Sequence, residues 1–369
     1  MVKLRASVAV IAAVLVAVAA TTAPAATPTR QAKLRQLAQS LVRGGAPGAI
    51  VFVRAPSATR SAVSGFSNLE PRVPMRASDR FRIASITKTF VATIVLQLEA
   101  EGKLDIDDPV EHWLPGRVPN GSSITLRELL SHTSGIFNYT DDQAFIGGII
   151  ANPSRAWSPG ELLSVAFSHT ALFAPGTNWS YSNTNFILLG LVIEAVTRTP
   201  IEQELQQRIF GPLSLGATSF PSGVSVEGPF VHGYLGGTPE FPAGASGLLD
   251  TTPLLSPSWA WAAGGIVSTA ANVTTFYAAL LKGRLLPAAQ LAEMKAPSPV
   301  VGTYGLGLTL TSTRCGRAVG HDGDFPGYRS IVLATPNGRR EAVVMINVDE
   351  SRVPWSRLEA AAGIALCSG

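Results

Sequence analysis

The sequence predicts an α/β protein in which an antiparallel sheet, flanked by helices from both termini, carries an inserted and mostly helical lobe. Strand-like runs cluster near the two ends of the 369-residue chain, where short links such as Pro336-Asn337-Gly338 favour antiparallel pairing of consecutive strands. Between them, residues 104–270 break into short helices punctuated by Gly, Pro, Asn and Ser, with few period-two runs. The sheet body is therefore assigned to residues 26–103 and 271–369, and the helical lobe to 104–270.

Taken in order, Met1–Arg5 is a short positive start, Ala6–Ala20 an apolar block and Ala23-Pro24-Ala25 a small-residue cleavage site, which together read as a secretory signal over residues 1–25. The apolar block is shorter than a bilayer-spanning helix, so no stable membrane insertion is expected after cleavage. Leu34, Leu37, Leu41 and Val42 share one helix face that ends at Gly44-Gly45. Runs at Ala49–Arg54 and Ser61–Phe66 suit a hairpin. A helix starting near Ser85 buries Phe90, Val91, Ile94, Val95 and Leu98 and stops at Gly102.

The lobe contributes helices at Thr125–Ser131, after Ser158-Pro159-Gly160-Glu161, at Thr184–Thr197 and at Ile201–Ile209. Helices at Val273–Leu281 and Ala288–Lys295 then lead to strands at Gly305–Thr311, Arg317–His321, Tyr328–Ala334 and Glu341–Val348, and Trp355–Leu366 closes the chain as a helix.

Composition bounds the function. With 46% hydrophobic and 15% charged residues the chain can bury a large core, and a net charge of +4, part of it from Lys3 and Arg5, excludes a nucleic-acid-binding surface. The two cysteines, Cys315 and Cys367, form an even pair that in an exported chain argues for one disulfide, with a free thiol as the other reading. No H-E-x-x-H pair occurs among the five histidines and no G-x-S-x-G elbow is present, so neither a metal site nor a cofactor is expected.

The chemistry-bearing stretch is Ser85-Ile86-Thr87-Lys88. Residues three apart stack on one helix face, so Ser85 and Lys88 meet, and a partly desolvated lysine can act as base toward a serine hydroxyl. A bare S-x-x-K also fits a capping serine and a surface lysine; the buried stripe that follows favours the chemical reading. Tyr181-Ser182-Asn183 precedes the Thr184–Thr197 helix. The tyrosine can relay a proton if cations depress its pKa and Asn183 can orient the lysine or a substrate amide, while Ser182 or Asn183 also reads as an N-cap. His321-Asp322-Gly323 is placed at a strand end, where glycine lets a substrate approach closely; a turn fits the same residues.

S-x-x-K, Y-x-N and H-x-G in this order resemble the penicillin-recognising serine hydrolases, in the branch of class C β-lactamases and D-alanyl-D-alanine carboxypeptidases. His132-Thr133-Ser134-Gly135-Ile136, Pro175-Gly176-Thr177, Gly264-Gly265-Ile266-Val267-Ser268-Thr269 and Tyr304-Gly305-Leu306-Gly307-Leu308 extend the resemblance from about Leu34 to Cys367. It implies a β-lactamase/transpeptidase-like fold and an acyl-serine on Ser85, with Lys88 and Tyr181 sharing proton work, Asn183 positioning the substrate amide and His321 standing where a lysine is found in the K-T-G form. Gly323 and Asp324 would meet substrate, the backbone N–H groups of Ser85 and Asp324 forming the oxyanion site.

The implied activity is a secreted D-alanyl-D-alanine carboxypeptidase working on peptidoglycan stem peptides of the cell wall. A class C-like β-lactamase, an esterase or a D-peptidase on the same scaffold is the alternative, and a non-catalytic penicillin- or wall-binding module a remoter one. Small peptide, β-lactam or ester substrates follow. One departure bears on substrate: Asp322 and Asp324 flank the H-x-G glycine where hydroxyl residues are expected to meet a carboxylate, and Thr309 stands where an arginine is common. Arg314, Arg317 and Arg329 are candidate substitutes, and the change favours esters or amidated D-peptides.

Overall fold

The computed structural model describes residues 29–236 and 247–368; the expected signal segment lies outside them. A seven-stranded antiparallel sheet is built from β1 (Gly48–Ala55), β2 (Ala58–Leu69), β3 (Arg72–Pro74), β4 (Thr309–Thr313), β5 (Gly316–Phe325), β6 (Tyr328–Ala334) and β7 (Glu341–Ile346), in the order β3-β2-β1-β7-β6-β5-β4. The two ends of the chain meet at its centre, where β1 pairs with β7 in the register Ala49↔Ile346 and Ile50↔Met345.

Both faces of this sheet are covered, which is why β7 is buried at every position and reads as an unbroken apolar run after Glu341. Helices α1 (Arg30–Arg43) and the C-terminal Trp355–Ser368 cover one face, Leu34, Leu41, Leu358 and Ala362 packing on Val51, Val53, Ile331, Leu333 and Val344. The other face, with Ile50, Phe52, Val332, Val343 and Met345, meets α2 (Thr87–Ala100) and the Ala270–Leu281 helix. Thr29 Oγ1 accepts from Ala32 N at 3.2 Å and caps α1, which ends at Gly44. Cys315 and Cys367 form a disulfide that ties the β4–β5 turn to the C-terminal helix. Among the described residues no single helix is long and apolar enough to cross a membrane.

Several expectations shift. The strand read over Gly305–Thr311 begins only at Thr309, because Gly307, at φ +65°, lies against α2 so closely that a Cβ there would stand 2.6 Å from Ala92 Cβ. His321-Asp322-Gly323 sits inside β5, not at its end, since the turn falls later, at Pro326-Gly327, where glycine adopts φ +87°. The helix over Ile201–Ile209 is α-helical to Leu205 and a π-turn over Gln206–Phe210. The Ser85 helix opens as a 3₁₀ turn at Ala84–Ile86, and its α-helical part starts at Thr87.

Glu341 is 1% exposed on β7, opposite Arg54 on β1, and its Oε1 has no partner. Burial pushes its carboxyl up to about 7, with Arg54 and Lys282 opposing. Because the native pKa lies above the unfolded one, the native state holds the extra proton and loses stability as pH rises toward 7. Glu341→Gln is therefore expected to raise Tm at pH 8, by an amount worth ~1–2 kcal/mol, and to leave it unchanged at pH 4, as checked by thermal unfolding at both pH values.

Candidate active site

Ser85 stands on a turn braced from two sides. The short strand Phe81–Arg82 pairs with Val267–Ser268, Ile83 N donates to Ile266 O at 3.1 Å, and Thr87 Oγ1 accepts from Ile266 N at 3.1 Å. Between these ties Ala84 adopts φ +48°, a left-handed conformation that costs a non-glycine residue about 1–2 kcal/mol and turns the chain sharply into α2. The turn is held there by β5 and β6: Ser330 Oγ donates to Ile83 O at 3.3 Å, and a Cβ on Gly323 would lie 2.2 Å from that same carbonyl. Gly323, expected to admit substrate, thus admits the turn that presents Ser85.

Lys88 is fully buried, and its Nζ lies 2.9 Å from Ser85 Oγ, 2.7 Å from Asn183 Oδ1 and 2.7 Å from Ala263 O. Carbonyl oxygens only accept, so Asn183 and Ala263 each take one N–H. In the neutral amine the remaining lone pair faces the Ser85 hydroxyl; in the ammonium the third N–H does. One set of partners serves both states, as a proton acceptor requires. Burial holds the amine well below its ordinary pKa, with Asp322 opposing, and so favours the neutral form. Asn183 is oriented by Nδ2 donating to Thr140 Oγ1 at 3.0 Å and by its backbone N–H donating to Asn138 Oδ1 at 3.0 Å. The N-cap alternative is not realised: no side chain of Ser182 caps the helix Asn183–Thr197.

Tyr181 lies beside Ser85 on the same cleft, and Lys88 Nζ lies 4.9 Å from its ring centre. Its pKa moves opposite to the expectation from sequence. Burial, with Asp322 nearby, raises it well above the ordinary value. The phenol is a neutral donor, not a phenolate.

His321 is buried as well. Nδ1 donates to Asp322 O at 2.6 Å and Nε2 accepts from the Tyr304 hydroxyl at 2.9 Å, while burial depresses its pKa, with Asp322 opposing and Lys88 adding to the effect. It holds Tyr304 in the cleft wall and is no substitute for a lysine cation.

Ser85, Tyr181 and Asn183 border a cleft of about 730 Å³ whose wall also includes Thr140, Trp179, Trp259, Tyr304, Thr309, Asp322 and Asp324. No arginine, lysine or histidine is among its lining residues. The arginines considered as substitutes do not line this cleft: Arg329 is buried against the carbonyls of Val348, Asp349 and Val353, Arg314 is on the β4–β5 turn and Arg317 at the start of β5. Asp324, crowded on the cleft wall, has its carboxyl pushed up to about 6, burial outweighing Arg329.

β4 pairs with β5 only as far as Thr309↔Gly320, so residues 321–325 run past it as a free edge. Counting back from the closing pair Phe325↔Tyr328, the Asp324 N–H points away from β6 onto that edge. Trp179, Tyr304 and Thr140 were not selected from sequence; Tyr304 alone had a signal, in the Tyr304–Leu308 stretch.

The Beta-lactamase family profile matches residues 32–365. A D-stereospecific amidohydrolase from Streptomyces sp. is similar over 90% of this chain and 98% of its own, at 38% identity and a TM-score of 0.81. A D-amino acid amidase from Ochrobactrum anthropi SV3 is similar over 89% and 97%, at 28% identity and a TM-score of 0.78. A D-aminopeptidase of Brucella anthropi is 26% identical over 87% of this chain, which spans 60% of that relative's length.

Gly323→Ala would drive the Ile83 carbonyl and the Ser85 turn away from β5. The fold is expected to persist, with acylation slowed by about 100-fold, measured as the rate of covalent labelling by a fluorophosphonate.

Proposed function

From a chain that belongs to the Beta-lactamase family, we propose an exported serine hydrolase that cleaves amide bonds of D-aminoacyl substrates bearing a free amine and an uncharged leaving group. The observation that carries this reading is the charge of the cleft: two aspartates and, among the described residues, no basic side chain on its wall. A carboxypeptidase must hold a C-terminal carboxylate, and here that anion would face Asp322 and Asp324 without a cation. An ammonium group on the acyl residue is instead attracted. The D-configuration rests on the relatives, a D-stereospecific amidohydrolase, a D-amino acid amidase and a D-aminopeptidase. Export rests on the signal-like residues 1–25 and suits the Cys315–Cys367 disulfide.

In the proposed reaction Ser85 Oγ attacks the substrate carbonyl as its proton passes to Lys88. The backbone N–H groups of Ser85 and Asp324 receive the developing oxyanion. The Tyr181 phenol donates to the departing nitrogen and regains a proton from Lys88, an acyl-serine forms, and water releases the acid by the reverse route. Asn183 keeps the amine aimed and borders the substrate amide.

Ser85→Ala is expected to abolish labelling by a fluorophosphonate; retained labelling would remove Ser85 from the chemistry. With D-alaninamide, N-acetyl-D-alaninamide, L-alaninamide and N-acetyl-D-Ala-D-Ala compared by kcat/KM, the first should lead by about tenfold or more. A lead for N-acetyl-D-Ala-D-Ala would restore the carboxypeptidase reading.

Asp324 also sets a pH signature. Below about 6 Asp324 is protonated and its attraction for an ammonium is lost. The kcat/KM of D-alaninamide relative to that of the neutral ester p-nitrophenyl acetate should therefore fall as pH drops through that value, and a ratio independent of pH would exclude Asp324 from amine recognition.

A further inference from the structure

We propose that His132 is a positioning residue for Tyr181, holding the peptide groups on both sides of that tyrosine and the face of its ring. The inference rests on the proton role assigned to Tyr181 above. His132 follows the Leu126–Leu130 helix, is fully buried, and adopts φ +61°, the left-handed region that a non-glycine residue enters only when its surroundings demand it.

From that position its carbonyl accepts from Ser180 N at 3.1 Å and its Nδ1 accepts from Ser182 N at 3.2 Å. The residues before and after Tyr181 are thus tied to one side chain and its own backbone. The imidazole also lies under the phenol, with ring centres 4.3 Å apart and planes tilted by 35°. A shift of His132 moves the Ser85-facing hydroxyl directly.

The tautomer is fixed by its neighbours. Ser134 Oγ donates to Asn185 Oδ1 at 2.7 Å, which turns Asn185 Nδ2 toward His132 Nδ1 at 3.3 Å. With a backbone N–H and an amide N–H both converging on it, Nδ1 carries a lone pair and the proton is on Nε2. Burial disfavours the imidazolium, which keeps Nδ1 an acceptor. Nε2 has no partner among the described residues and is surrounded by aromatic rings: Tyr304 at 5.0 Å, Phe186 at 5.4 Å and Trp179 at 6.2 Å between ring centres. The working atom is Nδ1.

An asparagine can supply an acceptor near the Nδ1 position and tolerates φ > 0; phenylalanine keeps the ring and removes the acceptor, and glutamine moves it further out. The test is the acylation rate, read as kcat/KM for D-alaninamide, whose leaving nitrogen needs the proton Tyr181 supplies, for the full chain carrying His132→Phe, His132→Asn, His132→Gln, Tyr181→Phe, and His132→Phe with Tyr181→Phe, thermal unfolding serving as the fold control. His132→Phe is expected to acylate about tenfold or more slowly and His132→Asn to recover most of that loss.

In the Tyr181→Phe background, His132→Phe should add less than about a threefold further loss, since the hydroxyl it positions is already gone. A wild-type rate for His132→Phe, or a full multiplicative loss in the double variant, would overturn the proposal. If His132→Phe does not fold, the pair Asn and Gln decides it, equal rates for the two being the contrary result. Tyr181→Phe acylating at the wild-type rate would instead remove the proton role of Tyr181 itself.

Discussion

The site depends on one buried amine. Lys88 has given up hydration for two carbonyl acceptors and one hydroxyl, and no carboxylate forms an ion pair with it among the described residues. Burial without a counter-ion makes the charged form costly and favours the neutral amine with its lone pair on Ser85. The same burial governs its neighbours. It raises the Tyr181 phenol well above its ordinary pKa. His321 and His132 are held neutral by the same dry surroundings. The interior of the site is a set of uncharged donors and acceptors, and the formal charges stand at its rim, on Asp322 and Asp324.

The sheet matters because it fixes where that amine and the hydroxyl meet. Gly323 lets β5 press against Ile83, and Ser330 of β6 holds the same carbonyl, so the strained Ala84 turn is set by the rigid centre of the protein. Asn183 and Tyr181 come from the helical segment, positioned by Asn138, Thr140 and His132. The two sources converge at Lys88. Because β1 and β7 bring both ends of the chain into one register, the turn and its β5 brace are also neighbours in space despite being more than 200 residues apart in sequence.

Much of the fold was legible because periodicity and burial coincide. Tyr328–Ala334 is buried on both faces and was read with the bounds it has, and the Leu34, Leu41 stripe marks α1 directly. The strand at Thr309 was misplaced because Tyr304-Gly305-Leu306-Gly307-Leu308 alternates like a strand, while only the tertiary contact with Ala92 shows that its glycines serve a close approach. In the site, the spacing of Ser85 and Lys88 is a local helical property and can be read from four residues. The protonation states are not local. Whether Tyr181 is a phenolate or a phenol, and whether His321 is a cation or an acceptor for Tyr304, depends on how much water reaches them, which is decided by chain segments far away in sequence. Trp179 and Thr140 carry no sequence mark because they act as wall.

Two carboxylates beside a site where an oxyanion must form are a handicap, since each disfavours the negative charge that develops on the substrate carbonyl. In the proposed reaction a bound ammonium offsets that penalty. It neutralises the rim before the charge appears, so the two backbone N–H donors face a transition state that is no longer opposed by Asp322 and Asp324. A substrate lacking the ammonium would lose twice, first in binding and again in the barrier, whereas a remote subsite would affect binding alone. The discrimination thus enters kcat as well as KM, because the recognised charge and the reacting carbonyl share one cleft.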